Sequence, residues 1–214
     1  MGKEERRRRE KENRRKTILK AAKKLFFKKG LENTTMDEIA EEAELSKGTL
    51  YIYFKSKEVL ALYIINESAD LLYDTLRKAD DTNKRGIERI TDITQALTDF
   101  FIDNRKEFQF FRYMDTLTAS VGPENDILKE WQNGIEELIH VVLDIIVDGI
   151  KDGSIRKDME PDKIAFIYSN MILSFLIRLS SNKRILLMAQ SMGEEEIIGT
   201  MFTMITKMLE SGDN

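Results

Sequence analysis

The chain has 214 residues, 42% of them hydrophobic, which is ample for one or two domains with a buried core. It contains no cysteine and one histidine, so a disulfide scaffold and a cysteine nucleophile are excluded and a zinc site is not expected. Two prolines leave few helix breakers, and no secretory signal or long uncharged apolar run is evident. We therefore expect a soluble, cytoplasmic, mostly helical protein that does not enter a membrane.

Charge is distributed unevenly along the chain. Residues 1–29 carry 14 Lys or Arg and 4 Glu, whereas the other 185 residues carry 20 Lys or Arg and 34 Asp or Glu. Only the basic end is therefore suited to approach a polyanion. The arginines Arg6 to Arg9 belong to a segment too polar to be ordered by burial, so we expect a frayed helix or a flexible arm there. Such arginines lie along a nucleic-acid backbone or enter its minor groove.

An amphipathic helix is predicted from Lys16 to the residues before Gly30. Its apolar stripe consists of Ile18, Leu19, Ala22, Leu25 and Phe26. Gly30 follows two lysines and is typical of a helix end. This helix is expected to brace the segment that follows it.

The next stretch predicts two short helices joined by a tight turn. Thr35 and Glu38 have the spacing of a capping box, so a helix should begin at about Met36. Ser46 is a favourable N-cap for a second helix that runs to about Lys55.

The second of these helices has a face without acidic residues. Gly48, Thr49, Tyr51 and Ile52 point away from the core side, and Lys47 lies at the border. A cation, a hydroxyl and a phenol beside a glycine are typical of a helix that enters the major groove of DNA. The alternative is an ordinary helical hairpin with a polar face.

This segment resembles the helix-turn-helix of the tetracycline-repressor (TetR) family of bacterial transcription regulators. The residues that match the family pattern are Thr34, Thr35, Ile39, Ala40, Ala43, Leu45, Ser46, Gly48, Leu50, Tyr51, Tyr53, Phe54, Ser56 and Lys57. Glu44 departs from it, since the family usually has Gly in the turn. A residue other than glycine there is expected to carry left-handed strain.

The resemblance implies double-stranded, palindromic operator DNA as a partner. It implies DNA contacts from Thr34, Thr35, Ser46, Lys47, Gly48, Thr49, Tyr51, Ile52, Tyr53, Lys55 and Lys57. Among these, Lys47, Gly48, Thr49 and Tyr51 match positions that face the bases. Thr35, Tyr53 and Lys57 match positions near phosphates.

The rest of the chain predicts long helices. One runs from Lys57 to about Lys78, and after the polar linker 80–86 five more follow, one of them after Asn104 through Leu117 and the last capped by Ser191. The fold class expected is all-α, with an N-terminal three-helix helix-turn-helix domain and a C-terminal helical domain. We place the DNA-binding domain at residues 1–57 and an effector-binding and dimerisation domain at residues 58–214.

The last two predicted helices are apolar on more than one side, which indicates a homodimer with a four-helix interface. The TetR resemblance implies the same arrangement. The interface residues expected are Phe175, Leu179, Ile198, Met201, Phe202, Ile205 and Met208.

Aromatic and methionine residues recur on the helices of this C-terminal half. They either fill a core or surround a pocket for a small apolar or aromatic effector. The pocket residues expected are Phe100, Phe101, Phe111, Met114, Trp131, Tyr168 and Met171, with Asn170 or Arg178 at a polar end. Asn170, Ser174 and Arg178 form a polar stripe that lines this pocket or bonds across the dimer. For His140 we favour an interior or interface position over a ligand contact.

Three classes of function follow from these features. The first is a DNA-binding transcriptional regulator, a repressor released by a small effector, as the resemblance implies. The second is a DNA-binding regulator of the same fold without an effector. An enzyme is not favoured, because no nucleophile elbow, metal-ligand cluster or phosphate-binding glycine loop is present, and no catalytic residue, metal or cofactor is expected. Binding of the basic segment to a membrane would leave the helix-turn-helix pattern unexplained.

Overall fold

The computed structural model describes residues 2–181 and 193–211, which are all-α, as predicted. They contain ten helices, with no strand in the described ranges: α1 Lys3–Lys29, α2 Met36–Glu42, α3 Lys47–Tyr53, α4 Lys57–Ala79, α5 Gly86–Asp103, α6 Arg105–Phe111, α7 Met114–Val121, α8 Asp126–Lys151, α9 Pro161–Ser181 and α10 Glu194–Leu209. A single antiparallel bridge joins Ile155 to Glu210.

The backbone packs as two compact units. The first unit comprises Met1–Glu67 and Tyr113–Glu130, and the second comprises Ser68–Arg112 and Trp131–Asn214. Helices α4 and α8 therefore each contribute one part to each unit. The boundary expected between residues 57 and 58 does not coincide with this division and stays a prediction about functional domains.

Helix α1 is longer than the amphipathic pattern predicts. It begins at Lys3, and the segment expected as a frayed helix or an arm is helical and exposed. An ion pair between Arg6 and Glu10, 3.2 Å apart and one turn along, supports this helix. The predicted end is confirmed, because Gly30 adopts a φ of 85° and its N–H donates to the Phe26 carbonyl at 2.9 Å.

Two polar contacts fix the return segment Tyr113–Glu130 within the first unit. The Tyr113 hydroxyl donates to Glu32 Oε2 at 2.8 Å, and the Asn66 amide donates to the Ile127 carbonyl at 2.9 Å. One helix was expected after Asn104, but α6 and α7 are separate. The break falls at Arg112 and Tyr113, where the buried Tyr113 is fixed by Glu32.

The second unit is built around α5, which packs against α6 and α10, while α6 also packs against α9. The phenylalanines of α5 and α6 form its aromatic core. Phe108 lies at the centre, with ring centroids 5.0 Å from Phe101, 5.4 Å from Phe111 and 6.2 Å from Phe100 in edge-on arrangements. The rings pack against one another, and Phe101 and Phe108 are fully buried.

A buried arginine joins three elements of this unit. Arg89 of α5 is 5% exposed and donates to both carboxylate oxygens of Asp80, at 2.7 and 2.9 Å, and to Asp148 of α8 at 3.0 Å. The two carboxylates balance its charge, which makes burial tolerable.

Helix α9 begins at Pro161, as predicted, and is apolar over most of its length. By length and composition it alone, among the described helices, is able to cross a membrane. It carries Asp162, Lys163 and Arg178, so it is not the long uncharged run whose absence was expected. A core helix of a soluble protein has the same composition, and Ile164, Tyr168, Ile172 and Leu176 of α9 are buried in this chain. The predicted cap of α10, Ser191, lies outside the described residues, and Gly193 occupies the N-cap position.

Candidate nucleic-acid interface

The first half of the interface is α2, which starts where the sequence predicts. Thr35 is its N-cap and accepts a hydrogen bond from the Glu38 amide at 3.3 Å, while the Glu38 carboxylate accepts from the Thr35 amide at 2.9 Å. This capping box is complete, and Lys29 of α1 adds an ion pair to Glu38. The pKa of Glu38 falls from 4.5 to about 2, mainly because of the Lys29 bond and then the Thr35 amide and hydroxyl.

The turn between α2 and α3 contains the predicted left-handed residue. Glu44 has a φ of 55°, and it alone among the non-glycine residues that the structure describes has a positive φ. Ser46 then caps α3 by accepting from the Thr49 amide at 3.2 Å. Helix α3 ends at Tyr53 instead of Lys55, because Phe54 turns to an extended conformation and is buried.

The outward face of α3 is open. Tyr51 is 43% exposed and Ile52 is 81% exposed, which is unusual for apolar side chains of this size. A Cβ atom at Gly48 would meet nothing within 4 Å, so the fold of the chain itself does not require glycine there. Lys47 is also exposed and lies 2.7 Å from Asp37 of α2, whose hydrogen bond and charge raise the pKa of the lysine.

Two of the predicted DNA-contacting residues form hydrogen bonds inside the first unit. Thr34 is 0% exposed, and its hydroxyl donates to the Gly30 carbonyl at 2.8 Å. The Lys57 ammonium donates to the carbonyls of Leu31, Glu32 and Thr34 at 2.9, 3.1 and 3.0 Å. All three of its protons are used, so Lys57 fixes the loop between α1 and α2, and a phosphate contact would have to replace one of these bonds.

The remaining predicted residues are accessible to different degrees. Thr35, Ser46 and Lys55 are exposed, whereas Thr49 and Tyr53 are half-buried. The hydroxyls of Ser46 and Thr49 lie 2.8 Å apart and share a hydrogen bond. Thr49 therefore has to exchange or share this bond in order to contact a base.

Arg15 is a positioning residue that the sequence does not reveal. Its guanidinium carbon lies 4.0 Å from the ring centroid of Tyr63 and 5.4 Å from that of Phe54. This cation–π contact joins α1 to the residue after α3 and to α4. In the sequence, Arg15 is one basic residue in a basic run, so no local signal distinguishes it.

Comparison with known proteins agrees with this geometry. Residues 18–64 match the model of the bacterial regulatory proteins of the tetR family. Over 141 residues the chain is 30% identical to the HTH-type transcriptional repressor KstR2 of Mycolicibacterium smegmatis, a match that covers 65% of this chain and 66% of that protein. The chain belongs to the tetR family.

Solved tetR-family structures share the fold over nearly the whole chain. A regulatory protein from Rhodococcus RHA1 superposes with a TM-score of 0.70 at 22% identity and covers 94% of this chain and 98% of its own. The ketosteroid transcriptional regulator KstR2 of Mycobacterium tuberculosis gives 0.68 at 18% identity, covering 93% and 96%. At these identities the likeness concerns the fold alone.

The second unit of this tetR-family chain contains a partly open cavity of about 100 Å³. Four of the predicted effector-binding residues line it, namely Phe111, Trp131, Tyr168 and Asn170. The rest of its wall is mostly aliphatic and comes from α4, α5, α8 and α9: Ala69, Leu72, Tyr73, Leu76, Ile93, Thr94, Leu97, Ile135, Leu138, Ile139, Val142, Ser169, Ile172 and Leu173.

The other five predicted residues lie elsewhere. Phe100 and Phe101 are buried in the aromatic core beside Phe108, and Met114 belongs to the first unit. Met171 lines an outer groove, and Arg178 is exposed. Helical periodicity places these side chains on the correct helices but does not determine which of them face the cavity.

The predicted dimer residues divide between the interior of the second unit and its surface. Leu179, Ile198, Phe202 and Ile205 are buried within the chain. The apolar groove that remains open lies between α9 and α10, and is lined by Met171, Phe175, Ile197, Thr200, Met201, Met204, Ile205 and Met208. Beside it, Phe166 is 57% and Ile167 is 48% exposed. His140 is exposed, so an interior position is wrong.

Proposed function

We propose that this tetR-family chain is a DNA-binding transcriptional regulator, a repressor that binds a palindromic operator as a homodimer and is released by a small, largely apolar effector. The exposed face of α3 carries this proposal. Tyr51 and Ile52 are exposed, Gly48 faces open space, and no acidic residue lies on that helix. An open helix face behind a capped turn is the arrangement with which helix-turn-helix proteins contact bases.

The basic first helix supports the same proposal. Its residues 3–14 are exposed and rich in arginine. A long exposed basic helix attracts phosphates at any sequence and makes binding sensitive to salt. The helix therefore supplies affinity, whereas α3 supplies sequence discrimination.

The exposed apolar groove of α9 and α10 supports a homodimer. Groups of exposed Met and Phe side chains of this kind mark protein interfaces. A lipid environment fits less well, because the outward face of α9 also carries the exposed Asn170, Ser174 and Arg178. A second copy would cover the groove and accommodate the polar stripe at the same interface.

The cavity supports an effector. It lies inside the second unit and is lined almost wholly by apolar side chains. A ligand there would act by binding one state of the dimer more tightly than the DNA-bound state. The same fold without an effector remains the competing function, and the aromatic core beside the cavity is compatible with it.

The experiment that tests DNA binding starts from a random pool of duplexes. The protein should select an inverted repeat whose half-sites lie about 34 Å apart or somewhat more. By fluorescence anisotropy, Tyr51→Ala should reduce the ratio of selected to random affinity roughly tenfold, since a base contact contributes about 1–3 kcal/mol. Lys55→Ala should weaken both duplexes equally and reduce the salt slope by about 1.

A matched control is Tyr51→Phe, which keeps the ring and removes the hydroxyl. If Tyr51→Ala and Tyr51→Phe both leave the ratio unchanged, α3 does not read DNA through this residue. If the selected duplexes show no repeat and the protein is a monomer by light scattering, the dimeric part of the proposal fails.

A further inference from the structure

One buried polar atom of a residue in the cavity wall of the second unit has no hydrogen-bond partner among the described residues. Ser169 lines the cavity, and its Oγ is buried and has no partner among the described residues. A buried hydroxyl without hydrogen bonds is unfavourable, so such an atom calls for an explanation.

Three other polar side chains of the wall form hydrogen bonds within the chain. The Thr94 hydroxyl donates to the Ile90 carbonyl at 2.5 Å, so its oxygen accepts from the hydroxyl of Tyr168. The Asn170 amide donates to the Phe166 carbonyl at 2.9 Å. Burial raises the pKa of Tyr168, which keeps this phenol neutral and available as a donor to Thr94.

The part of the cavity wall that the described residues form contains no charged side chain. None of the lining side chains is an acid or a base. A carboxylate or an ammonium group enclosed there would lose its water without gaining a counter-ion, which is strongly unfavourable. The enclosed part of a ligand is therefore uncharged.

Size limits the ligand further. One water needs about 10–15 Å³ of such space, so about 100 Å³ holds several heavy atoms, and the cavity is smaller than the roughly 300–1,000 Å³ of drug-sized sites. A single ring or a short hydrocarbon chain fits this volume.

We propose that Ser169 is the polar anchor of this cavity and that the effector presents to it an uncharged ring-sized or short-chain hydrocarbon group with one hydrogen-bonding oxygen. The inference rests on the proposed effector function and specifies its ligand class. Ser169 Oγ donates to that oxygen or, where the oxygen belongs to a hydroxyl, accepts from it.

Trp131 gives a direct measurement of binding, because it is the single tryptophan of the chain and lines the cavity. The probes are cyclopentanol, cyclopentane and cyclopentanecarboxylate at neutral pH, titrated in sealed cells. Ser169→Ala should bind cyclopentanol roughly threefold to tenfold more weakly, the effect of one hydrogen bond. The same variant should bind cyclopentane within about twofold of the unmodified protein, since no hydrogen bond is involved.

Ser174→Ala is the matched control, because Ser174 lies on the same helix, is exposed and does not line the cavity. It should leave all three affinities unchanged. Gly134→Ala is a second variant: its Cβ would lie 2.6 Å from the Tyr73 ring, so the ring must move and reshape the cavity. It should alter binding of cyclopentanol and cyclopentane alike.

Three results would overturn the inference. Equal weakening of cyclopentanol and cyclopentane by Ser169→Ala would show a packing effect. Tighter binding of the carboxylate than of the alcohol would show a charged ligand class. No change of Trp131 fluorescence with any probe would show that the cavity is not a site. DNA affinity measured on the same samples separates these failures from failure of the DNA-binding proposal.

Discussion

In the first unit, α2 and α3 have seven residues each and are held by directional polar contacts, whereas in the second unit α5, α9 and α10 have 18, 21 and 16 residues and bury apolar side chains. Helices of seven residues are unstable alone in water, so caps and fixed ion pairs matter more to them. The longer helices are stabilised by burial, which has no preferred direction and tolerates a cavity.

This difference suits the two roles proposed for the chain. A surface that reads DNA must keep its side chains in one geometry, and hydrogen bonds such as those of Lys57 impose one. A ligand-responsive unit must have two packings of similar free energy, and apolar contacts around unfilled space permit that. Four predictions test this difference between the units.

The largest effect is expected for Arg89, a buried charged residue in a unit that is otherwise stabilised by apolar contacts. Arg89→Met keeps much of the volume but leaves the carboxylate of Asp80, 14% exposed, without its partner. We expect a loss of about 3 kcal/mol in the free energy of unfolding. Urea denaturation followed by Trp131 fluorescence measures it.

Arg77→Met is the control for this change. Arg77 pairs with Glu137 and Asp74 on the surface, with its side chain 47% exposed. Such pairs contribute about 0–1 kcal/mol, so a small loss is expected. Equal losses in the two variants would mean that the Arg89 cluster does not stabilise the second unit beyond an ordinary surface pair.

The next effect concerns the loop between α1 and α2. Lys57→Met removes three hydrogen bonds from a charged donor, and a loss of about 2 kcal/mol in local stability is expected. Hydrogen exchange of the amides at residues 31–34 should accelerate by roughly 30-fold. Lys55→Met, at an exposed neighbouring lysine, should leave that exchange unchanged. Unchanged exchange in Lys57→Met as well would show that the loop does not depend on Lys57.

A pH dependence follows from the capping box of α2. The pKa of Glu38 is about 2 in the folded protein and lies below its ordinary value of 4.5, chiefly because of Lys29. Its contribution to stability is therefore complete above about pH 4.5 and is lost as the pH falls toward 2. In melting curves recorded from pH 6 to 2, the advantage of the unmodified protein over Glu38→Gln should shrink across this window.

Glu41→Gln provides the comparison, since Glu41 is exposed on the same helix and is not part of the capping box. Its melting temperatures should run nearly parallel to those of the unmodified protein. Parallel behaviour of Glu38→Gln would mean that the carboxylate of Glu38 is not selectively stabilised in the folded state.

The helix-turn-helix could be predicted from the sequence because its signals are local. The capping box of Thr35 and Glu38 and the N-cap Ser46 connect residues three positions apart. The hydrogen bonds of Lys57 could not be predicted, because the carbonyls it binds lie 23 to 26 residues away, which no local pattern reveals. The burial of Thr34 could not be predicted for the same reason, because it depends on how α1 and α2 pack.

The cavity was only partly predictable for a different reason. Phe100, Phe101 and Phe111 are chemically identical and all are buried, yet only Phe111 faces the cavity. The choice depends on how α5, α6, α8 and α9 pack against one another. Ser169 was missed because nothing in the sequence distinguishes a serine on an apolar helix. Only the structure shows that its hydroxyl has no hydrogen-bond partner among the described residues.

The smallest effect is expected at Glu44, the left-handed turn residue where the family usually has Gly. A side chain in this conformation costs about 1–2 kcal/mol, and glycine loses about 0.5–1 kcal/mol through its greater freedom in the unfolded chain. Glu44→Gly should therefore stabilise the protein by about 0.5–1 kcal/mol, measured as a rise in melting temperature. Glu44→Ala keeps a Cβ atom and should give no such gain. If Glu44→Ala stabilises as much as Glu44→Gly, relief of charge repulsion near Glu41 and Glu42 is the cause, and the turn is not strained. A gain confined to glycine would mean that the first unit, for all its directional contacts, retains one local conflict between sequence and backbone.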